Sequence, residues 1–155
     1  MEYNVYRIET HLGMQDPLMP PGPRFHNAIY VETAQNGGGR IIQVTGVIAD
    51  AGGMYFEEKY GERPEGSDDF HRKHFLGQIQ SERYMEVVQL MRSVPAPPRQ
   101  RVFDARVMGH VPCKPDGSKY EPGEMVPPYM KCTEWTLGLA IPALQKSGLL
   151  NSTRT

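Results

Sequence analysis

The chain has 155 residues, of which 39% are hydrophobic and 23% are charged, and its formal net charge is −1. That size and composition are typical of one globular domain with a single core, so we predict one domain over residues 1–155. Positive and negative residues are mixed along the chain. Because phosphate-binding surfaces need clustered Lys and Arg, we expect no nucleic-acid partner.

The first ten residues, MEYNVYRIET, contain acids and no apolar run, which is unlike a secretory signal. No stretch of about 18 apolar residues is present, so we expect no membrane span. Together these features predict a cytoplasmic location. In that reducing compartment Cys113 and Cys132 are expected to be free thiols rather than a disulfide.

The pattern of the N-terminal half predicts strands joined by turns. Glycines at positions 37–39 supply the positive φ angles that a hairpin needs, and consecutive strands with such connections predict an antiparallel meander. A proline-rich loop is predicted up to residue 23. Apolar–polar alternation and β-branched or aromatic residues predict strands over residues 3–9, 25–32, 40–47 and 54–58.

The second half of the chain predicts helices and a long loop. Ser81 can cap a helix that runs to residue 93, before Pro95 ends it. Residues 102–110 predict a strand, and 111–130 a loop whose length is typical of functional segments. The charged stretch 61–74 predicts no definite element.

A last helix is predicted over residues 131–146, with Trp135, Leu139 and Leu144 on its apolar face. Pro142 should kink or divide it. Residues 151–155 are expected to be frayed. The predicted fold class is therefore α+β, with an antiparallel sheet packed against a C-terminal helix that carries Cys132.

Cys132 is predicted to lie in the first turn of this helix, next to Lys131. The N–H groups and positive dipole of a helix start favour thiolate over thiol. A reactive thiolate also needs a base, and His26, near the start of a predicted strand, is the candidate. Position alone leaves the alternative that Cys132 is a small buried apolar residue and His26 a structural one.

The order of these motifs resembles a known group. HNAIYV at 26–31, the glycine turn and RIIQV at 40–44 resemble the "H-x-x-I-Y-x … G-x-V-I-H" hairpin of circularly permuted NlpC/P60-like proteins, which include the lecithin:retinol acyltransferase-like enzymes. KCTEW at 131–135 is similar to their "N-C-x-x-W/F" helix start, with Lys131 where Asn is usual. Uncharacterised fungal NlpC/P60-like proteins look similar as well. The likeness covers residues 24 to 148.

The resemblance implies a permuted papain-like domain in which Cys132 is the nucleophile, His26 the general base and Gln43 the residue that orients His26. The family usually has His at the third position. A neutral amide can still fix the imidazole tautomer, but it stabilises imidazolium less than a carboxylate does. Because Gln43 departs from the family pattern, the alternative remains open that this chain is a catalytically inactive relative that only binds a ligand.

The resulting hypothesis is a thiol-dependent hydrolase or acyltransferase acting on the acyl group of a small molecule or peptide. The alternatives are a binding module on the same fold and an unrelated α+β domain. The oxyanion is expected to bind the Cys132 N–H and a second donor, for which Tyr6, Tyr30 and Tyr129 are candidates. Substrate contacts are predicted for Tyr30, Tyr129, Met130 and Trp135, with Met108, Tyr120 and Met125 in the substrate-facing loop.

No cofactor and no metal site are predicted. His71 and His74 are three residues apart and could share a face if helical, but the neighbouring Arg72 and Lys73 oppose a cation, so a solvated loop is favoured. Glu57 and Glu58 are adjacent on a predicted strand and should point to opposite faces, where we interpret both as solvated.

Overall fold

The computed structural model describes residues 1–14, 16, 19 and 22–152, and its main feature is one antiparallel sheet. The strand order is β4-β3-β2-β1-β5, so the first four strands form the predicted meander and the fifth returns to pair with β1. The predicted α+β class is confirmed. The strands are β1 (Glu2–His11), β2 (Phe25–Glu32), β3 (Gly39–Thr45), β4 (Tyr55–Gly61) and β5 (Phe70–Gln80).

The strand β5 was not predicted, and it contains both His71 and His74. Its first residues, FHRKHF, mix charged and aromatic side chains without the alternation that identifies a half-buried strand. As the strand next to β1 at one end of the sheet, β5 tolerates these charges because an edge strand need not be covered on both sides. Our prediction of a solvated loop for this stretch is therefore wrong, because it forms an edge strand.

The helix α1 (Tyr84–Ser93) follows a short 3₁₀ turn at Ser81–Arg83, close to the predicted bounds. Beyond it, the single strand predicted over residues 102–110 is instead a hairpin of two short strands, β6 (Arg101–Asp104) and β7 (Gly109–Pro112). A tight turn between them reverses the chain.

The C-terminal helix consists of α2 (Cys132–Trp135), a π turn (Thr136–Ala140) and α3 (Ile141–Lys146). Pro142 cannot donate a backbone hydrogen bond, and its ring would clash with the carbonyl four residues back in a regular α-helix. The helix is accordingly altered ahead of Pro142 rather than divided at it.

The π turn also changes which residues face the core. It adds one residue to the turn after Trp135, so Ala140 takes the inward position that we predicted for Leu139. Leu139 is 38% exposed, whereas Leu144 is buried as predicted. Gly148 then adopts a positive φ of 80°, which fits the end of a helix.

The main core lies between the sheet and the helices, and Trp135, with 0% exposure, is among its largest side chains. The indole N–H donates to the carbonyl of Val94, and Phe56 contacts the ring edge-on. Asn151 pairs with Gln78 through two backbone hydrogen bonds, so Asn151 is not frayed as we predicted for residues 151–155. Residues 153–155 lie outside the described residues, as do 15, 17, 18, 20 and 21 of the predicted proline-rich loop.

Among the helices that the structure describes, none is long and apolar enough to cross a membrane.

Candidate active site

Cys132 and His26 meet where α2 begins against the start of β2. Cys132 is the first residue of α2 and is 8% exposed, while His26 is the second residue of β2 and is partly buried. The imidazole and the thiol lie close enough for each to shift the pKa of the other, and both line the same cavity. Two residues separated by more than a hundred positions in the chain are thus neighbours at one site.

Asn27 is the residue that attaches β2 to α2. Its backbone N–H helps to lower the pKa of Cys132, and its carbonyl accepts from the Thr136 hydroxyl at 3.3 Å. Its side chain donates to Thr133 Oγ1 at 3.0 Å and accepts from Arg7 at 2.9 Å. Asn27 is 3% exposed, and these bonds satisfy a polar side chain that would be costly to bury alone.

Gln43, on β3, lies on the other side of His26 from the thiol. Its Oε1 is 2.6 Å from His26 Nε2, and the Gln43 side chain is buried. Its Nε2 in turn donates to Glu57 Oε1 at 2.7 Å. The side chains of His26, Gln43 and Glu57 therefore form a chain of hydrogen bonds that runs from β2 across β3 to β4, and Cys132 lies beside its His26 end.

The pKa values of the thiol and the imidazole are displaced in opposite directions. Burial raises the pKa of Cys132, but the hydrogen bond and charge of His26, the Asn27 N–H and the Thr133 hydroxyl together bring it below its ordinary value. The hydrogen bond to Cys132 raises the pKa of His26 despite burial, with a further contribution from Gln43. Both displacements favour the thiolate–imidazolium form of the pair.

A cavity of about 200 Å³ opens beside Cys132 and His26. Its rim carries charge, since Lys131 and Arg101 both pair with the carboxylate of Asp16. Arg24, also on the rim, pairs with Glu134 at 3.0 Å. The remaining wall is mostly apolar and includes Leu12, Met14, Met19, Phe25, Val44 and Met54.

A second cavity, of about 530 Å³, adjoins the first along Met19 and Arg24. Besides Pro112 of β7 and Glu134 of α2, its other residues come from the long loop before α2: Val126, Pro127, Pro128 and Tyr129. Of the residues that we expected in the substrate-facing loop, Tyr129 lines this second cavity, whereas Met108 and Met125 are largely exposed to solvent.

The other predicted substrate contacts lie elsewhere. Tyr30 is fully buried, donates its hydroxyl to the Gly37 carbonyl at 2.7 Å, and lines a separate cavity beside residues 62–67. Trp135 is a core residue. Met130 is fixed by its backbone, which both donates to and accepts from the Gln100 side chain at 2.7 Å. Neither Tyr30, Trp135 nor Met130 is among the described residues that line the Cys132 cavity.

None of the three tyrosines proposed as oxyanion donors lines the Cys132 cavity in the part of the chain that the structure describes. Tyr6 packs edge-on against Phe75, and Arg101 lies over the ring of Tyr129. The backbone donor that helps to lower the pKa of Cys132 is the Asn27 N–H.

Two residues of this site were missed in the sequence. Asn27 carries a visible signal, because it is a polar side chain in an otherwise apolar stretch, HNAIYV. Glu57 carries no such signal, and we interpreted it as solvated. Its position depends on the register that pairs Gln43 with Glu57 across β3 and β4, and the long connection between those strands leaves that register undetermined in the sequence.

His71 and His74 both approach the carboxylate of Glu9, at 4.0 Å and 2.9 Å. The pKa of Glu9 is lowered: burial raises it, but Arg7 and His74 more than offset that effect. The described residues contain no group of three or more His, Cys, Asp or Glu side chains arranged to hold a metal ion.

Comparison with known proteins yields one family. We found no match among curated proteins or among solved structures. A family model described as a family of unknown function, DUF6540, matches residues 12–151, a range that includes Cys132, His26, Gln43 and Glu57. Since this match extends over most of its length, the chain belongs to the DUF6540 family.

Proposed function

We propose that this protein is a thiol-dependent hydrolase or acyltransferase that acts on an amide or ester acyl group, with Cys132 as nucleophile and His26 as general base. The observation that carries the proposal is that Cys132 and His26 line the same cavity, with the Gln43 side chain hydrogen-bonded to His26. A nucleophile, a base and a residue that orients the base are the groups that covalent acyl transfer requires.

In the proposed reaction His26 takes the proton of the Cys132 thiol, and the sulfur attacks the acyl carbon. The carbonyl π electrons move onto oxygen, and the backbone N–H groups at the start of α2 are the candidates to stabilise the oxyanion. As the oxyanion collapses, the bond to the leaving amine or alcohol breaks, and His26 returns its proton to that group. A thioester on Cys132 remains.

The thioester is then resolved by water or by an acceptor amine or alcohol. His26 removes a proton from this second nucleophile as it attacks, and the Cys132 thiolate leaves and regains the proton. Hydrolysis and transfer differ only in the second nucleophile. Gln43 keeps the imidazole oriented through both half-reactions.

The substrate is proposed to be a small-molecule or peptide acyl donor whose acyl group is mostly apolar. Apolar side chains form most of the wall around Cys132, and a volume of about 200 Å³ favours a compact group. The larger adjoining cavity can receive the rest of the substrate. A permuted papain-like ancestry and a cytoplasmic location belong to the same proposal.

The direct test is to trap the acyl-enzyme. Wild-type protein is mixed with p-nitrophenyl esters of increasing acyl length, and intact mass is followed after rapid acid quenching. We expect a mass increase equal to one acyl group, located on Cys132 by peptide mapping, and release of p-nitrophenol. Cys132→Ala should form no adduct, whereas Cys113→Ala should behave as wild type. Acylation that persists in Cys132→Ala would contradict the proposal.

A binding module on the same fold is the second candidate, and Gln43 is the observation that favours it. The amide stands where the resembling family usually has His, and it cannot take up a proton as His can. This candidate predicts that Cys132 reacts no faster than an ordinary thiol at mildly acidic pH, and that ligands bind without any acyl adduct.

A further inference from the structure

Glu57 stands at the far end of the hydrogen-bonded chain from Cys132. The register of β3 and β4 places it directly opposite Gln43, and its Oε1 accepts from Gln43 Nε2 at 2.7 Å. Lys59, two residues further along β4 on the same face, lies 3.4 Å from the same carboxylate oxygen. The hydrogen bonds that link Glu57 to His26 run through Gln43.

A carboxylate only accepts hydrogen bonds, whereas an amide has a donor end and an acceptor end. The bond to Glu57 therefore requires Gln43 to turn its NH₂ group toward β4. Its carbonyl oxygen then faces His26 Nε2, which is the arrangement in the structure. The direction of the Gln43 amide thus follows from the chemistry of Glu57.

The direction of the amide decides which ring nitrogen carries the proton. A carbonyl oxygen accepts only, so His26 Nε2 must bear hydrogen to bond with it. The lone pair of the neutral ring is then on Nδ1, the nitrogen left to face the thiol. If the amide were reversed, its NH₂ group would donate to the lone pair of Nε2, the proton would sit on Nδ1, and no lone pair would be left facing the thiol to accept its proton.

We propose that Glu57 is a positioning residue for the thiol pair: by fixing the Gln43 amide, it holds His26 in the tautomer that can accept the Cys132 proton and stabilises the imidazolium. The inference deepens the proposed function and rests on it. It also explains how the neutral Gln43 can orient His26: the carboxylate of Glu57 lies one hydrogen bond beyond Gln43 and supports it.

The neighbouring acid provides a matched control. Glu58 is one residue along β4 and so faces the opposite side of the sheet, where it pairs with Arg40 and accepts from the Tyr84 hydroxyl. Glu57→Gln and Glu58→Gln remove the same charge from adjacent positions of one strand. Only the first alters a partner of Gln43.

The test measures alkylation of Cys132 by iodoacetamide across pH, together with the ¹⁵N chemical shifts of the His26 ring. In Glu57→Leu the rate at about pH 6.5 should fall about fivefold, the worth of one lost hydrogen bond, and the pH midpoint of alkylation should rise. The ring shifts should move from the Nε2–H tautomer toward a mixture. Glu57→Gln, which retains an acceptor, should recover part of the rate, and Glu58→Gln should match wild type.

A double variant tests whether Glu57 acts through Gln43. In a Gln43→Leu background, adding Glu57→Leu should produce no further change in rate, because the intermediary is already lost. A full additional fivefold loss would mean that the charge acts directly on the thiol pair and would overturn the inference. Thermal unfolding of each variant checks that the fold is retained.

The outcomes also separate this inference from the proposed function. If wild-type Cys132 reacts rapidly at mildly acidic pH and His26→Ala slows it, the proposed function survives. An unchanged profile and unchanged ring shifts in Glu57→Leu would then overturn the role of Glu57 alone. If wild-type Cys132 is alkylated slowly, and His26→Ala does not change the rate, both the proposed function and the role of Glu57 are overturned.

Discussion

Two cysteines with similar burial occupy chemically opposite environments in this molecule. Cys113, which follows the end of β7, is 2% exposed, and Cys132 at the start of α2 is 8% exposed. Both are free thiols. Burial raises the pKa of Cys113, with only a partial offset from the charge of Arg99, whereas the pKa of Cys132 lies below its ordinary value although burial alone would raise that too.

The difference comes from the partners rather than from burial. The His26 imidazole, the Asn27 backbone N–H and the Thr133 hydroxyl all lower the pKa of Cys132. The cavity at Cys113 measures about 30 Å³, close to the volume of one water molecule, against about 200 Å³ at Cys132. A buried thiol becomes a candidate nucleophile only where donors stabilise its charge and space is left for a substrate.

The largest predicted effect is on the identity of the reactive thiol. At about pH 6.5 an ordinary thiol is only about 1% thiolate, so Cys132→Ala should reduce total alkylation by about a hundredfold. Cys113→Ala should leave the rate unchanged. The measurement is mass-resolved labelling with iodoacetamide, and rapid labelling of Cys113 in the Cys132→Ala variant would remove the contrast between the two sites.

The next effect concerns the base. His26→Ala removes the main group that lowers the pKa of Cys132, so the alkylation rate at about pH 6.5 should fall about tenfold or more and the pH midpoint should rise. His110→Ala, an exposed histidine on β7 near Cys113, serves as the matched control. An equal loss in both variants would show that the imidazole contact is not responsible.

The charge of His26 should be visible in the pH dependence of an anionic reagent. Because the pKa of His26 is raised, imidazolium persists above the ordinary value of about 6.5 and is lost as pH rises through the raised value. The ratio of the alkylation rate with iodoacetate to the rate with iodoacetamide should therefore be about fourfold higher below that transition than above it. The ratio at Cys113, measured on the unfolded protein as reference, should not vary with pH in this way.

The smallest predicted effect comes from Thr133, whose hydroxyl lowers the pKa of Cys132 but also lies 3.2 Å from the Phe25 carbonyl. Because its hydrogen is shared between these acceptors, Thr133→Val should slow alkylation at about pH 6.5 only about twofold. Ser147→Ala, at the other end of the C-terminal helix, should have no effect. A loss as large as that of His26→Ala would indicate that Thr133, rather than His26, controls the thiol.

Much of the fold was predictable because local patterns carry it. The bounds predicted for β2 agree with the structure, and the antiparallel pairing of β2 with β3 follows from the short glycine turn between them. β5 was not predictable in this way, since its charged residues suit an edge position that depends on pairing with β1. Leu139 failed as a core residue because the π turn ahead of Pro142 changes the helical period.

The sequence by itself determined the chemical types available for a site: one cysteine at a helix start, one histidine at a strand start and one amide on the next strand. Tertiary structure decided which of them meet and what supports them. Strand register brings Glu57 opposite Gln43, and the packing of α2 on β2 brings Asn27 to the thiol. Hydrogen bonds act over about 3 Å, so contacts between residues distant in the chain are decided only when the sheet and helix are assembled.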